Sequence, residues 1–367
     1  MRFLVSYLRL KNPAGTEVYA LTVAEQLERL GHDAVLVTWA EGAMSERARS
    51  RGLRVVAPGD VGERSADVIL ANDGATLLTL AAAVPDATRV MVVHSAENTA
   101  QTPPQLPDAC QAVVVQSDRL QRRVAALAVE TPIVRLRHPI DLERFRLLPW
   151  AQWPPRRAAV FGHIAATIGG TTIAGACRAA GLDPTPVGIQ GGTATTEPEH
   201  AIGATDVVIG IGRCALEASA ARRPVYVAGP AGIDGWLRPE RYAELEADGF
   251  TGMASPRSSP AVAAELRDPP PLEDVLALYE IVTREHDARL HAEQLVALAR
   301  ELGAPAGPPR GDVDEIARLI RLEFGARERA DSAERLARNR AAVAMMRSAS
   351  WRRLARSVRT RLGRRPT

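Results

Sequence analysis

Residues Ala204–Gly229 read ATDVVIGIGRCALEASAARRPVYVAG, and this stretch decides how the chain folds. Asp206 leads an apolar run that ends at Gly210 and Gly212. A segment rich in alanine starts at Arg213 with helical periodicity, and Pro224 opens a second β-branched run. Neither run alternates apolar with polar residues, so each predicts a strand covered on both faces, as in a parallel sheet. Strand, helix and strand in that order form a βαβ unit, whose chemistry belongs in the turn between first strand and helix. Glu217 is the only acid of that helix. As a solvated residue near a helix N-terminus it would add about 0.3–1 kcal/mol. At a strand-end cleft it is a carboxylate aimed at a ligand.

The same alternation extends in both directions. Toward the N-terminus, RFLVSYL (2–8), AVLVT (34–38), LRVV (53–56), DVILA (67–71), RVMVVH (89–94) and AVVVQS (112–117) predict strands. TEVYALTVAEQLERLG (16–31) and SDRLQRRVAAL (117–127) predict helices, and PIVRLRHPIDLERF (132–145) a strand and turn. RLLPWAQWPPRR (146–157), with three prolines and two tryptophans, reads as a linker. Alternation resumes with AAVFGHI (158–164), a helix across 171–181 and the strand PTPVGIQ (184–190). After RDPPPLED (267–274) a helical segment of about thirty residues ends near Gly303, and GAPAGPPRGD (303–312) precedes a charged helical tail. The expected organisation is a Rossmann-like domain over 1–145, a linker over 146–157, a second Rossmann-like domain over 158–302 and a helical extension over 303–367.

With 367 residues, 46% of them apolar and 24% charged, the chain suits two soluble domains. The net charge of +3 excludes nothing by itself, but arginine crowds the C-terminus and Lys11 is the only lysine. Cys110, Cys177 and Cys214 follow no metal or redox spacing, which fits a reducing compartment. No stretch reaches the roughly 18 apolar residues of a membrane helix, and the N-terminus is broken by arginine. A cytoplasmic protein is expected.

In order along the chain, three segments resemble the retaining glycosyltransferases of the large family four, which have the two-domain GT-B architecture. NPAGTEVYALTVAEQLERLGHDAVLVT (12–38) is similar to that family's opening, a glycine loop, a small residue followed by Glu, and a helix ending in Gly-His. VVVQSDRLQRRV (113–124) with RHPIDLERF (137–145) resembles the segment that closes its first domain. Ala204–Gly229 resembles its donor site. The resemblance implies a nucleotide-sugar donor held between the domains, its ribose on Glu217 and its sugar facing His94. Three places depart from the family pattern, one of them His138, where the family usually has asparagine. Ile209 stands where a first glutamate is expected, and FGHIAATIGGTT (161–172) carries His163 where an arginine and a lysine would grip the diphosphate.

Other candidates follow from helix starts and strand ends. Gly15 and Thr16 precede a helix, where backbone N–H groups can hold phosphate; the plainer reading makes Thr16 an N-cap. Gly169 and Gly170 precede another, with Arg213 as the nearby cation, which could reach phosphate or pair on the surface. His94 ends a strand at the top of the sheet, where a site role and a structural role are equally open. Glu97 and Asn98 lie just beyond and could contact an acceptor, although loop polarity alone explains them. Asp141 is expected to cap the following turn, and His138 to be structural. Gly232, in AGPAGIDGWLRPE (228–240), could cover the base or simply connect two elements.

These residues read together as a GT-B glycosyltransferase moving sugar from a nucleotide-sugar donor to an acceptor held by the N-terminal half. No separate cofactor is expected. Nor is a metal, since no Asp-x-Asp lies in a strand-end loop. A nucleotide-sugar epimerase and a non-catalytic GT-B-like partner protein are the rival readings. In the tail, Trp351, Leu354, Val358 and Leu362 recur at helical spacing among seven arginines from Arg352 to Arg365. At about 1 kcal/mol per basic residue this could hold the protein on the anionic inner face of a membrane. A solvated tail is the plainer reading, and nothing in it reads nucleic acid.

Overall fold

The computed structural model describes residues 1–61, 66–95, 98–127, 130–162, 173–188, 195–305, 307–330 and Ala333. Met1–Ile320 is one compact unit and Arg321–Thr367 a second, of which 321–330 are helical. Among the described residues no helix is long and apolar enough to cross a membrane.

The chain opens with β1 (Arg2–Ser6), a two-residue β2 (Arg9–Leu10), α1 (Gly15–Arg29), β3 (Asp33–Val37), β4 (Ala40–Glu41), α2 (Ala43–Ser50) and β5 (Arg54–Val56). β6 (Val68–Ala71), α3 (Gly74–Ala83), β7 (Thr88–Val93), β8 (Ala112–Val115), α4 (Asp118–Ala125) and β9 (Ile133–Arg135) complete this half. Apart from β2 and β4, which pair with each other, the strands form a parallel sheet in the order β5-β3-β1-β6-β7-β8-β9. Its central strands are buried on both faces, as their unalternating apolar sequence requires. Ser117 caps α4 by accepting from Leu120 N at 3.3 Å.

The second half holds α5 (Leu142–Phe145), β10 (Arg157–Phe161), α6 (Ile173–Ala179), β11 (Asp183–Val187), α7 (Pro198–Gly203), β12 (Val207–Gly210), α8 (Arg213–Ala220), β13 (Val225–Ala228) and β14 (Ile233–Trp236). Its sheet runs β11-β10-β12-β13-β14, parallel except for β14. Pro184 and Pro186 are tolerated in β11 because that strand is an edge and need not donate on its outer side. α9 (Tyr242–Asp248) and α10 (Ser259–Leu266) follow.

The expected thirty-residue helix is two helices, α11 (Leu272–Glu285) and α12 (Ala288–Leu302). The break has a tertiary cause. His286 O accepts from Ile140 N at 2.7 Å, and Ala288 N donates to Ile140 O at 3.0 Å, so the backbone groups that would continue the helix pair with the chain crossing between halves. Asp287 then caps α12 at Arg289 N, 2.8 Å away. Beyond this break the chain returns to the first sheet: Ala292, Leu295, Val296 and Ala299 of α12 pack into the core around α1 and β1. Leu278 and Val282 of α11 stay with the second core. The helical residues 313–320 contribute Val313, Ile316, Ala317 and Ile320 to a small cluster over Leu78 of α3.

Candidate functional site

The carboxyl ends of β1 and β12 face each other, and the helix after each begins at the same cleft. α1 starts at Gly15 behind Ala14, and α8 starts at Arg213 behind Gly212. Neither N-cap has a side chain that can satisfy the first N–H groups. Gly212 sits at φ +61, in the left-handed region that glycine enters without strain. Thr16 is therefore inside α1 and is not its cap; its Oγ1 accepts from Gln101 Nε2 at 2.9 Å. A cavity of about 440 Å³ is lined by Gly15, Phe161, Gly188, Gly212, Arg213 and Glu217. A second, of about 330 Å³, is lined by Gly15, Thr16, His94, His138, Gly212 and Arg213. Gly15, Gly212 and Arg213 border both.

Glu217 is 3% exposed, so it is not a solvated helix residue. Burial raises its carboxyl pKa, and Arg213, one turn earlier, pulls it back. Arg213 Nε donates to Glu217 Oε1 at 2.6 Å. The remaining guanidinium nitrogens donate to Pro139 O at 3.0 Å and Thr22 Oγ1 at 3.3 Å. Arg213 is thus neither a surface pair nor an unengaged cation: it ties α8 to the crossing chain and to α1. Ile209 lies in the core against Val160, Ile173 and Val207. Only Ile211 and Gly212 separate β12 from α8, and neither is a carboxylate.

On the other side of the shared wall, His94 Nε2 is 2.7 Å from Asn72 Oδ1. Asn72 Nδ2 donates to Ser6 O, which turns Oδ1 toward the ring; Nε2 therefore carries the proton and Nδ1 is the acceptor. Burial, then His291 and Arg213, hold His94 at a pKa of about 3. Its ring meets Tyr19 edge-on at 4.6 Å. Tyr19 donates to His291 Nε2 at 2.8 Å, and His291 Nδ1 donates to Arg137 O at 2.9 Å. The second half repeats the arrangement. Tyr242 donates to His286 Nε2 at 2.6 Å, and His286 Nδ1 donates to His138 O at 2.7 Å. Two Tyr–His pairs, one from each half, thereby fix adjacent carbonyls of the crossing chain. His138 Nε2 is buried with no hydrogen-bond partner and borders the cavity of His94. Sequence reasoning missed Tyr19, His286 and His291; two histidines within six residues of a helical stretch were the available signal.

Asn98 Oδ1 accepts from Ala100 N at 3.2 Å and starts a short turn. Asp141 stands at the N-cap of α5 but makes no side-chain cap bond. Gly232 borders neither cavity; a Cβ there would lie 1.5 Å from Ala254 O, so its glycine is a packing requirement. Glu17, in the first turn of α1, is 1% exposed and lies 3.2 Å from Arg9 Nε. Burial, opposed by Arg9, raises its pKa to about 7. Glu97, His163, Gly169, Gly170 and the tail from Trp351 to Arg365 lie outside the described residues. Among the described residues no group of His, Cys, Asp and Glu is arranged to hold a metal ion.

No family model matches the chain, and no curated protein matches it either. Solved structures do. The Anabaena protein HepE in complex with UDP superposes with a TM-score of 0.59 over 82% of this chain and 100% of its own, at 15% identity. Its complex with UDP-glucose gives 0.57. AviGT4, a glycosyltransferase involved in avilamycin A biosynthesis, gives 0.51 over 82% of this chain and 97% of its own, at 16% identity. The lipopolysaccharide outer core galactosyltransferase WaaB gives 0.51 over 81% and 99%, at 10% identity. The chain has the GT-B fold.

Proposed function

We propose that the chain is a glycosyltransferase that moves a sugar from a nucleotide-sugar donor to an acceptor. One observation carries the reading: the N-termini of α1 and α8 meet at the wall between two cavities, with buried Glu217 on one side and His94 on the other. That HepE, of the same fold, was solved with UDP and with UDP-glucose supports it.

In this reading residues 158–302 hold the nucleotide in the larger cavity, its ribose hydroxyls on the Glu217 carboxylate. The diphosphate spans the shared wall against the backbone N–H groups of Gly15 and Thr16 and of Arg213 and Cys214. Both helix ends then offset the charge that grows on the leaving group as the glycosidic bond breaks. His163, Gly169 and Gly170 complete the donor loop, and Gly232 supports the segment after β13. The sugar enters the second cavity, where His94 accepts a hydrogen bond at Nδ1 and residues 1–145, Glu97 and Asn98 among them, hold the acceptor. Transfer proceeds with retention at the anomeric carbon, in the cytoplasm, with the basic tail from Trp351 to Arg365 on the inner membrane face.

A second reading has its own support. Glu217 is already engaged by Arg213, and the turn after β12 carries no other carboxylate. Both favour a GT-B protein that binds nucleotide without transferring sugar. Calorimetry with UDP, GDP and TDP, and release of nucleoside diphosphate from the matching sugar donors, separate the two. Turnover lost in Glu217→Ala supports the transferase; binding without turnover supports the second reading. No binding of any nucleotide would sink both.

A further inference from the structure

The linker Arg146–Arg157 is held down firmly yet presents large apolar side chains to water. Asp206, fully buried at the start of β12, accepts from the backbone N–H groups of Gln152, Arg156 and Arg157 at 2.9–3.1 Å. Arg223, 1% exposed, donates to Pro149 O at 2.7 Å, and Arg222 donates to Leu148 O at 2.8 Å. Leu148 packs into the second core. From this anchored backbone Leu147, Trp150 and Trp153 stand 80%, 59% and 46% exposed. A loose loop could fold such side chains inward. Here the backbone is clamped, and three large apolar side chains exposed within seven residues of one anchored segment mark a contact site.

The surrounding charge selects the partner. Arg146 and Arg156 are exposed, Arg157 is exposed but paired with Asp206 at 2.8 Å, and Arg222 stacks 4.9 Å from the Trp150 ring centroid. The carboxylate that binds this segment, Asp206, is buried and consumed by it. A second copy of the same face would bring arginine against arginine, which disfavours self-association. Tryptophan and leucine flanked by arginine suit the headgroup boundary of an anionic bilayer, where the rings sit among acyl carbonyls and guanidinium groups meet phosphate.

We propose that residues 146–157 form a membrane-contact surface that inserts Leu147, Trp150 and Trp153 into the interface of anionic lipid. The surface lies at the amino ends of β10, β12 and β13, opposite the cleft at their carboxyl ends. A protein docked this way keeps its cleft open to water.

The test uses the full chain with vesicles of phosphatidylcholine, alone or mixed with phosphatidylglycerol. Because the tail is also basic, a background with Arg352, Arg353, Arg356, Arg359, Arg361, Arg364 and Arg365 all changed to Ser isolates the linker. In that background the protein still co-sediments with the anionic vesicles. Adding Leu147→Ser, Trp150→Ser and Trp153→Ser lowers the partition coefficient at least about tenfold, a loss of roughly 1.4 kcal/mol. Leu147→Glu alone, a milder change at the most exposed position, lowers it in the same direction. Binding abolished by the tail changes alone, equal partition onto neutral vesicles, or linker variants that bind as tightly as their parent each overturn the proposal. The last of these results would point to an acidic protein as the partner.

Discussion

Arg213 and Glu217, one helical turn apart on α8, form an ion pair at 2.6 Å whose guanidinium also holds Pro139 O and Thr22 Oγ1. The pair is buried, with side chains 9% and 4% exposed, so neither charge can turn to water if the other is removed. It joins the carboxylate nearest the candidate nucleotide cavity to the contact between halves.

Arg213→Leu leaves Glu217 buried and unpaired. Its carboxyl, already raised by burial, rises further, and the protein is destabilised by about 3–5 kcal/mol. Arg213→Leu with Glu217→Leu recovers most of that loss, because no charge is left uncompensated. Urea unfolding of the three proteins at neutral pH checks this; a double variant as unstable as the single would refute it.

His94→Ala lowers the rate of sugar transfer about 10²-fold while leaving nucleoside diphosphate affinity unchanged, the pattern of an interaction made at the reacting sugar. Since burial, His291 and Arg213 hold His94 at about 3, the wild-type rate shows no inflection from this group near the ordinary histidine pKa of about 6.5. Steady-state kinetics and calorimetry on the same preparations decide it.

His286 and His291 are each held at about 4, chiefly by burial. Both folded-state values lie below the unfolded value, so their contribution to stability is present above about 6.5 and is lost as pH falls toward 4. Over that window the unfolded chain takes up protons that the native chain refuses, and stability drops by up to about 1.4 kcal/mol per pH unit for each histidine. His286→Gln with His291→Gln flattens that slope at some loss of stability at pH 7. The urea midpoint followed from about pH 7 to pH 4.5 measures it.

Asp206→Asn releases the linker. Burial pushes the Asp206 carboxyl up, but hydrogen bonds from Arg157, Arg156 and Gln152 outweigh it and bring the pKa to about 2. Its contribution is therefore complete above the unfolded value of about 3.8 and disappears as pH falls through 2. At neutral pH the variant loses about 2–3 kcal/mol, from charge-assisted bonds to the backbone. Faster amide exchange at Gln152, Arg156 and Arg157 locates the loss; unchanged exchange there would count against the clamp.

Much of this protein is written locally. Unalternating apolar runs give β1, β6, β7, β8, β12 and β13, and the glycine-bounded turn before Arg213 puts α8 at the cleft, because strand period and glycine conformation depend on near neighbours alone. The place of Glu217 in α8 was legible for the same reason, while its burial and its pairing with Arg213 were not. What tertiary structure decided is where distant pieces meet. The break at His286–Asp287 comes from pairing with Ile140, and the return of α12 to the first core comes from its apolar face finding α1. Neither leaves a mark in the helical periodicity of 272–302. Arg213 could read as a phosphate cation until the fold set Pro139 and Thr22 within its reach. Ile209 read as a vacated ligand position until β12 turned it into the core. Each depends on contacts more than seventy residues apart or on which face of a strand is covered, and only the assembled sheets determine these.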